Sequence, residues 1–335
     1  MVDATHISLQ ADDRSYFSLL KKEIHQRLLN VGMDAARIAE VDIITAEMTS
    51  NLFKYADGGE ILFGTFNENG TPYVELISID KGPGMRNPSR MMQDGMSTSN
   101  TLGAGLGSIK RLSDTFDLYS IVGWGTIVLS RIYVGTKPSQ KKGLLVRPIV
   151  VSKPGEHTSG DGFTFKISTK GFKVMLGDGL GHGPAANLAV NEGAKAFRIF
   201  PDASPVETLR FVHSSIKKTR GMVANVTTFD NDKGEWSTAG IGNIASKWIC
   251  PSGSKNQMSY NGIVGHNIPN TMNDQKFSVS EYNQLVLCSD GIKTRWEISK
   301  YPGVLHHDPS ILAAAIYKDH ARQTDDMSVI VIKIH

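Results

Sequence analysis

Two sets of residues in this chain have the types and spacing for chemistry on phosphate. The first opens with Asp80-Lys81-Gly82-Pro83-Gly84-Met85 and closes with Gly103-Ala104-Gly105-Leu106-Gly107. An acid followed by two glycines around a proline gives a tight turn whose backbone a ligand can approach closely. The second cluster leads into Ser108–Asp114, which the pattern predicts as a helix; its bare N–H groups and positive dipole end suit a phosphate. Upstream, Glu47 and Asn51 share one face of a helix predicted over Asp34–Tyr55, where Ile38, Val41, Ile44, Thr45, Met48 and Leu52 recur at helical spacing. A carboxylate and an amide so placed suit a base and a magnesium ligand beside a nucleotide. Each piece by itself also fits an ordinary loop or a solvated helix face.

The second set is acidic and lies in the other half of the chain. Asp161 stands in S-G-D-G-F, Asp178 in L-G-D-G-L-G-H-G, Asp290 in C-S-D-G-I, and Asp325-Asp326 in T-D-D-M-S, each at the end of a predicted strand. Hard divalent cations take oxygen ligands, and a pair bridged by Asp lowers the pKa of a shared water that can attack phosphorus directly. One Asp-Gly is a turn. Four at strand ends point to a metal centre.

The elements that must position these residues fall into two textures. In the first half, strands at His6–Gln10, Glu60–Phe66, Pro72–Ile79, Asp117–Val122 and Thr126–Val134 alternate with helices at Ser15–Leu29 and Asp34–Tyr55, with hairpin turns at Asn69-Gly70 and Gly123-Trp124-Gly125. Residues 136–143 are polar, basic and punctuated by Gly and Pro, and are expected to link residues 1–135 to residues 144–335. The second half is rich in short strands: Val146–Ser152, Phe163–Ser168, Phe172–Gly177, Val223–Asp230, Glu235–Ala239, Ala245–Cys250, Gln284–Ser289 and Met327–Ile334. Helical windows interrupt them at Gly183–Ile199 and Ser204–Thr219. Both halves read as α+β layers.

At 335 residues the chain has room for two domains. A net charge of +3, from 36 basic and 33 acidic residues, implies neither nucleic acid nor an anionic membrane as partner. Cys250 and Cys288 lie in apolar runs with no C-x-x-C or His neighbour, so they read as small hydrophobes. No charged start precedes an apolar stretch, and no apolar run approaches the roughly 20 residues of a spanning helix. The expectation is a soluble cytoplasmic protein.

Glu47…Asn51, Asp80-x-Gly82-x-Gly84, Gly103-x-Gly105-x-Gly107 and Gly125-Thr126 follow the order of the four boxes of the GHKL (Bergerat) ATPase fold. Asp94–Gly107, D-G-M-S-T-S-N-T-L-G-A-G-L-G, resembles the RsbT switch kinases, which phosphorylate STAS-domain proteins on serine or threonine. The resemblance runs from about Thr5 to Tyr133. It implies an α/β sandwich binding Mg-ATP, with Asp80 on the adenine amino group, Asn51 on Mg²⁺ and Glu47 as base for the attacking hydroxyl. It also implies that the Gly103–Gly107 loop covers the phosphates, with Gly82, Gly84 and Thr126 among the nucleotide contacts.

Asp178-Gly179-Leu180-Gly181-His182-Gly183-Pro184-Ala185-Ala186, Ser289-Asp290-Gly291 and Asp325-Asp326-Met327-Ser328 resemble the SpoIIE-type metal-dependent protein phosphatases of the PPM superfamily, in a compact form similar to RsbX. That resemblance covers about Leu144 to Ile334 and implies an αββα sandwich holding two Mn²⁺ or Mg²⁺. The ligands implied are Asp161, Asp178, the Gly179 carbonyl, Asp290 and Asp325; Asp325 is taken over Asp326 because the family places its ligand first. Two departures stand out. Phe163-Thr164-Phe165-Lys166 replaces a further acid found in many relatives, and no arginine precedes Asp161 in the manner of the eukaryotic relatives, so phosphate recognition is expected from elsewhere. His182 is expected to shape its turn, and Asn243 in Ala239-Gly240-Ile241-Gly242-Asn243 either joins the centre or caps a strand turn. The Met91-Met92 pair and Met96 fall in the expected nucleotide lid.

Together the two resemblances imply a bifunctional partner-switching regulator acting on STAS-domain phosphoproteins of an anti-anti-sigma or stressosome type. The rivals are a phosphatase with a non-catalytic, ATP-binding docking domain, and a sigma-factor antagonist.

Overall fold

The computed structural model describes residues 6–11, 13–56, 58–68, 70–92, 105–138, 143–201, 204–250 and 253–334. Gly103, Met96 and linker residues 139–142 lie outside them. Contacts divide the chain into two compact units: His6–Lys141 with Gly303–Ala315, and Lys142–Pro302 with Ile316–His335.

The first unit contains β1 (His6–Gln10), α1 (Arg14–Asn30), α2 (Ala35–Tyr55), β2 (Glu60–Glu68), β3 (Thr71–Ile79), the short α3 (Pro88–Met91), α4 (Gly105–Leu112), β4 (Thr115–Ile121) and β5 (Gly125–Tyr133). Its strands run antiparallel in the order β1-β2-β3-β5-β4. Asp34 caps α2, its carboxylate accepting the Arg37 N–H at 2.9 Å. The stripe from Ile38 to Leu52 is buried with Leu20, Ile24 and Leu28 of α1, Ile109 of α4, and Ile61, Phe63, Val74 and Leu76 of the sheet. One helical face and one sheet face thus make a single core, so Glu47 and Asn51 are left on the α2 side that meets α4.

The second unit is a sandwich of two antiparallel sheets. Its strands are β6 (Leu144–Val151), β7 (Asp161–Ile167), β8 (Gly171–Gly179), β9 (Met222–Asp230), β10 (Glu235–Ile241), β11 (Ala245–Cys250), β12 (Gly253–Gln257), β13 (Gln275–Ser278), β14 (Gln284–Cys288) and β15 (Met327–Ile334). One sheet runs β12-β11-β14-β15-β6 and the other β13-β10-β9-β8-β7. Trp236, Phe163, Phe172 and Phe229 of the second sheet meet Trp248, Leu285, Leu287 and Ile330 of the first in one buried cluster. Helices α5 (Pro184–Ile199) and α6 (Pro205–Ser215) cover the other face of β8–β10 with Val190, Phe197, Leu209 and Val212. Ser204 and Glu207 form a reciprocal capping box at the start of α6.

A seventh helix, α7 (Pro309–His320), is unpredicted; Ile311–Tyr317 are all buried. No helix among the described residues is long and apolar enough to cross a membrane.

Candidate functional site

In the first unit, the end of β3 delivers Asp80 to the mouth of the sheet. Its Oδ1 accepts the Gly82 N–H at 2.8 Å and the Thr126 N–H at 3.0 Å, which ties the turn after β3 to the start of β5. Thr126 Oγ1 lies 3.0 Å from Ser120 Oγ on β4, and Ser120 Oγ accepts the Met85 N–H at 2.8 Å. The glycines here are demanded by neighbouring backbone. A Cβ at Gly84, whose φ is 67°, would stand 2.0 Å from the Ile121 carbonyl oxygen; one at Gly125, whose φ is 123°, would stand 2.3 Å from that of Asp80.

Helix α4 brings the second glycine cluster over α2. A Cβ added at Gly105 would lie 2.8 Å from Glu47 Oε2 and 3.6 Å from Asn51 Oδ1. The backbone at Gly105 therefore sits directly on the Glu47–Asn51 face, while Gly107 is buried one half-turn further on. Glu47, Asn51 and Gly105 form one group, and Asp80, Gly82, Gly84 and Thr126 form another on the same unit. A cleft of about 590 Å³ lined by Tyr55, Lys81 and Gly82 lies alongside the second.

In the second unit, strand register gathers the acids. Asp161 opens β7 and Asp178 ends β8, and they are directly paired across the ladder. Ser328 Oγ on β15 donates to Asp161 Oδ2 at 2.7 Å, and Ser328 N–H donates to Ser289 Oγ at 3.0 Å, so the ends of β14 and β15 are fixed to the start of β7. Asp290 follows Ser289 and accepts the Asn243 amide at 2.9 Å from the turn after β10. Asp326 is a clamp: its Oδ1 accepts the Lys153 N–H at 2.9 Å and its Oδ2 the Gly160 N–H at 2.8 Å. Asp325 accepts the Asp326 N–H at 2.9 Å. A Cβ at Gly291 would stand 1.9 Å from the Asp326 carbonyl oxygen, and one at Gly179 would stand 2.4 Å from that of Ala186 on α5. The two Asp-Gly steps thus close-pack the loops that carry Asp290 and Asp178.

The electrostatics follow from crowding. Burial pushes the Asp178 carboxyl well above the usual range, and the charges of Asp161, Asp290, Asp325 and Asp326 push it further. Burial likewise raises Asp161; hydrogen bonds from Ser289 and Ser328 pull it back, while Asp326 and Asp290 oppose them. Asp290 is raised by burial and Asp325, and lowered by Asn243 and Arg322. As the side chains stand, no three acid, His or Cys side chains among the described residues close on a single point. Their chemistry still fits hard cations: all-oxygen donors, mutually repelling and buried or half-buried, whose pKa rises would be reversed by bound positive charge.

His182 is exposed, its Nδ1 2.9 Å from Glu156 Oε1. Cys288 is buried, and burial pushes its thiol up to about 12. Sequence patterns had no means of finding the serine links to Asp161, although Ser289 and Ser328 lie inside the motifs that supplied the acids.

The family model "Stage II sporulation protein E (SpoIIE)" matches residues 168–335. The serine/threonine-protein kinase RsbT of Bacillus subtilis (strain 168) is 36% identical over 96 residues, which are 29% of this chain and 72% of that protein. A solved chain described as "The bacterial stressosome: a modular system that has been adapted to control secondary messenger signaling" is 26% identical, with a TM-score of 0.52 over 58% of this chain and 100% of that one. RsbX in complex with magnesium shares the fold at a TM-score of 0.52 and 16% identity, over 59% of this chain and 98% of that one. The chain belongs to the SpoIIE family through a phosphatase domain at residues 168–335, and its N-terminal region is a homologue of RsbT.

Proposed function

We propose that this protein removes phosphate from phosphoserine or phosphothreonine in a STAS-domain protein, and that its first unit is a GHKL sandwich that binds Mg-ATP and phosphorylates the same class of protein. The observation that carries the phosphatase reading is the direct pairing of Asp161 with Asp178 across β7 and β8, with Asp290 and Asp325 near enough for their charges to oppose Asp178. Asp161, Asp178, the Gly179 carbonyl, Asp290 and Asp325 would hold two Mn²⁺ or Mg²⁺. When bound, the cations would supply an acidified water as nucleophile. Asp326 is excluded from ligation in this reading because both its oxygens are engaged by backbone N–H groups. Ser328 and Asn243 orient the carboxylates of Asp161 and Asp290.

In the first unit Asp80 would accept the adenine amino group, Asn51 would hold Mg²⁺ and Glu47 would take the proton of the attacking hydroxyl. The closeness of Gly105 to both Glu47 and Asn51 supports placing the phosphates there. The likeness to a kinase RsbT and to a stressosome chain favours a partner-switching pathway and a STAS-type substrate.

The direct test is to incubate the protein with Mn²⁺ and a STAS protein phosphorylated on serine, and to follow the phosphosite by mass spectrometry with and without ATP. Phosphate release that stops in EDTA and returns with Mn²⁺ is expected. Release indifferent to EDTA would overturn the metal mechanism. No transfer from ATP to any STAS protein would reduce the first unit to a docking module.

A further inference from the structure

No arginine lies between Arg147 and Asp161 in the sequence, and the strand ladder brings Arg220 beside the Asp178–Gly183 loop. Strands β8 and β9 pair so that Asp178 faces Val223 and Gly179 faces Met222. The pairing runs on past the strand, with the Leu180 N–H donating to the Gly221 carbonyl at 3.1 Å. The next step of that register sets Arg220 opposite Gly181, inside the Asp178–Gly183 loop. A Cβ added at Gly181, whose φ is 84°, would stand 3.2 Å from Arg220 Nη1. The same Gly181 lines the acid cluster: its carbonyl oxygen is 3.4 Å from a Cβ built on Gly160, whose N–H binds Asp326.

The arginine is held by its backbone and left open at its tip. His266 Nε2 donates to the Arg220 carbonyl at 2.8 Å, and Gly221 adopts a φ of 78° that turns the chain into β9. Arg220 is exposed, and no carboxylate among the described residues pairs with its guanidinium. Glu156, which lies beside Gly183 of the loop, is turned to His182 instead. Lys217 and Lys218, both exposed, precede it. An unpaired guanidinium beside a close-packed site loop matches a planar fork that two phosphoryl oxygens can share.

We propose that Arg220 receives the phosphoryl group of the substrate in this centre, its fork donating to two phosphoryl oxygens beside the Gly181 loop. This rests on the phosphatase reading above. A side chain at Gly181 would crowd the guanidinium as well as strain a backbone whose φ is 84°.

The test compares Arg220→Ala, Arg220→Lys and Arg322→Ala, the last because Arg322 is an arginine whose charge acts on Asp290 of the cluster. Affinity for inorganic phosphate is measured by calorimetry on the Mn²⁺-loaded full chain. KM and kcat are measured with para-nitrophenyl phosphate and with a phosphoserine peptide. Arg220→Ala should weaken phosphate binding and raise KM for both substrates about tenfold or more, the loss of a charged hydrogen-bond pair. Arg220→Lys should recover part of it, with Mn²⁺ affinity and Tm unchanged in both variants. Unchanged phosphate affinity in Arg220→Ala would overturn the proposal, as would a loss that accompanies lost Mn²⁺ or that belongs to Arg322→Ala alone. If the wild type binds phosphate through Arg220 yet hydrolyses neither substrate, the phosphatase reading falls and the arginine assignment stands.

Discussion

The carboxylates of Asp161 and Asp178 face each other across one rung of a ladder, and neither can be charged without opposing the other. Their pKa values are raised on folding, so in metal-free protein they favour the folded state at acidic pH, and that contribution is lost as pH climbs through the raised values. Bound cations reverse the sign. Thermal melting of the second unit should therefore weaken from about pH 4 towards neutrality without metal, and Mn²⁺ should remove the decline. Calorimetry in buffers of different ionisation heat should show protons released as Mn²⁺ binds. Asn243→Ala frees an oxygen of Asp290 from its amide and should weaken Mn²⁺ roughly ten- to a hundredfold at unchanged Tm; equal Mn²⁺ titrations would rule the contact out as a positioning one. Thiol alkylation should leave phosphate release untouched, since burial holds the Cys288 thiol at about 12. At this scale the sequence named the acids because Asp-Gly steps leave a pattern in the chain. It gave no sign that Asp326 accepts N–H groups from distant Lys153 and Gly160 while Asp325 accepts that of its neighbour.

At the scale of elements, long periodic segments were legible and solitary ones were not. Helix α2 was readable because its buried stripe repeats on one side and Asp34 caps it. Helix α7 was not, because P-S-I-L-A-A-A-I-Y is apolar on every side, which erases the helical period. Strands β12 and β13 escaped because they are short edge strands with polar sequences, G-S-K-N-Q and Q-K-F-S. The buried charges of the first unit were invisible for a related reason: Arg131 meets partners at remote positions. Its Nε donates to Glu75 at 2.5 Å, and its two Nη atoms donate to Asp308 at 2.6 and 2.7 Å. Burial pushes Glu75 up, but Arg131, with His6, outweighs it and holds the carboxyl at about 2. A depressed value means stability present above the ordinary glutamate pKa and lost as acid approaches the depressed one. The first unit should lose stability between about pH 4.5 and 2, followed by far-ultraviolet circular dichroism. Glu75→Gln should flatten that slope. Arg131→Ala, which strands buried Glu75 and half-buried Asp308, should cost roughly 3–5 kcal/mol in urea unfolding.

For the whole molecule, the acid cluster and the Asp80 group belong to different units with separate cores. Asp80→Asn should abolish ATP binding and leave Mn²⁺-dependent phosphate release intact, whereas Asp290→Asn should do the reverse. Isothermal titration with ATP and a phosphate-release assay on both variants would check the pair; a variant that loses both functions would contradict their independence.

The two units nevertheless do not follow the chain's linear order. Gly303–Ala315, encoded deep within the phosphatase half, supplies Asp308 and Ser310 to the buried Arg131 and His307 to Asp117. A gene truncated after the linker would encode a kinase-like fragment whose guanidinium has lost its bidentate acceptor. Scission, shuffling or swapping of the first unit must therefore carry that thirteen-residue segment along, or leave a charge buried with half its partners gone.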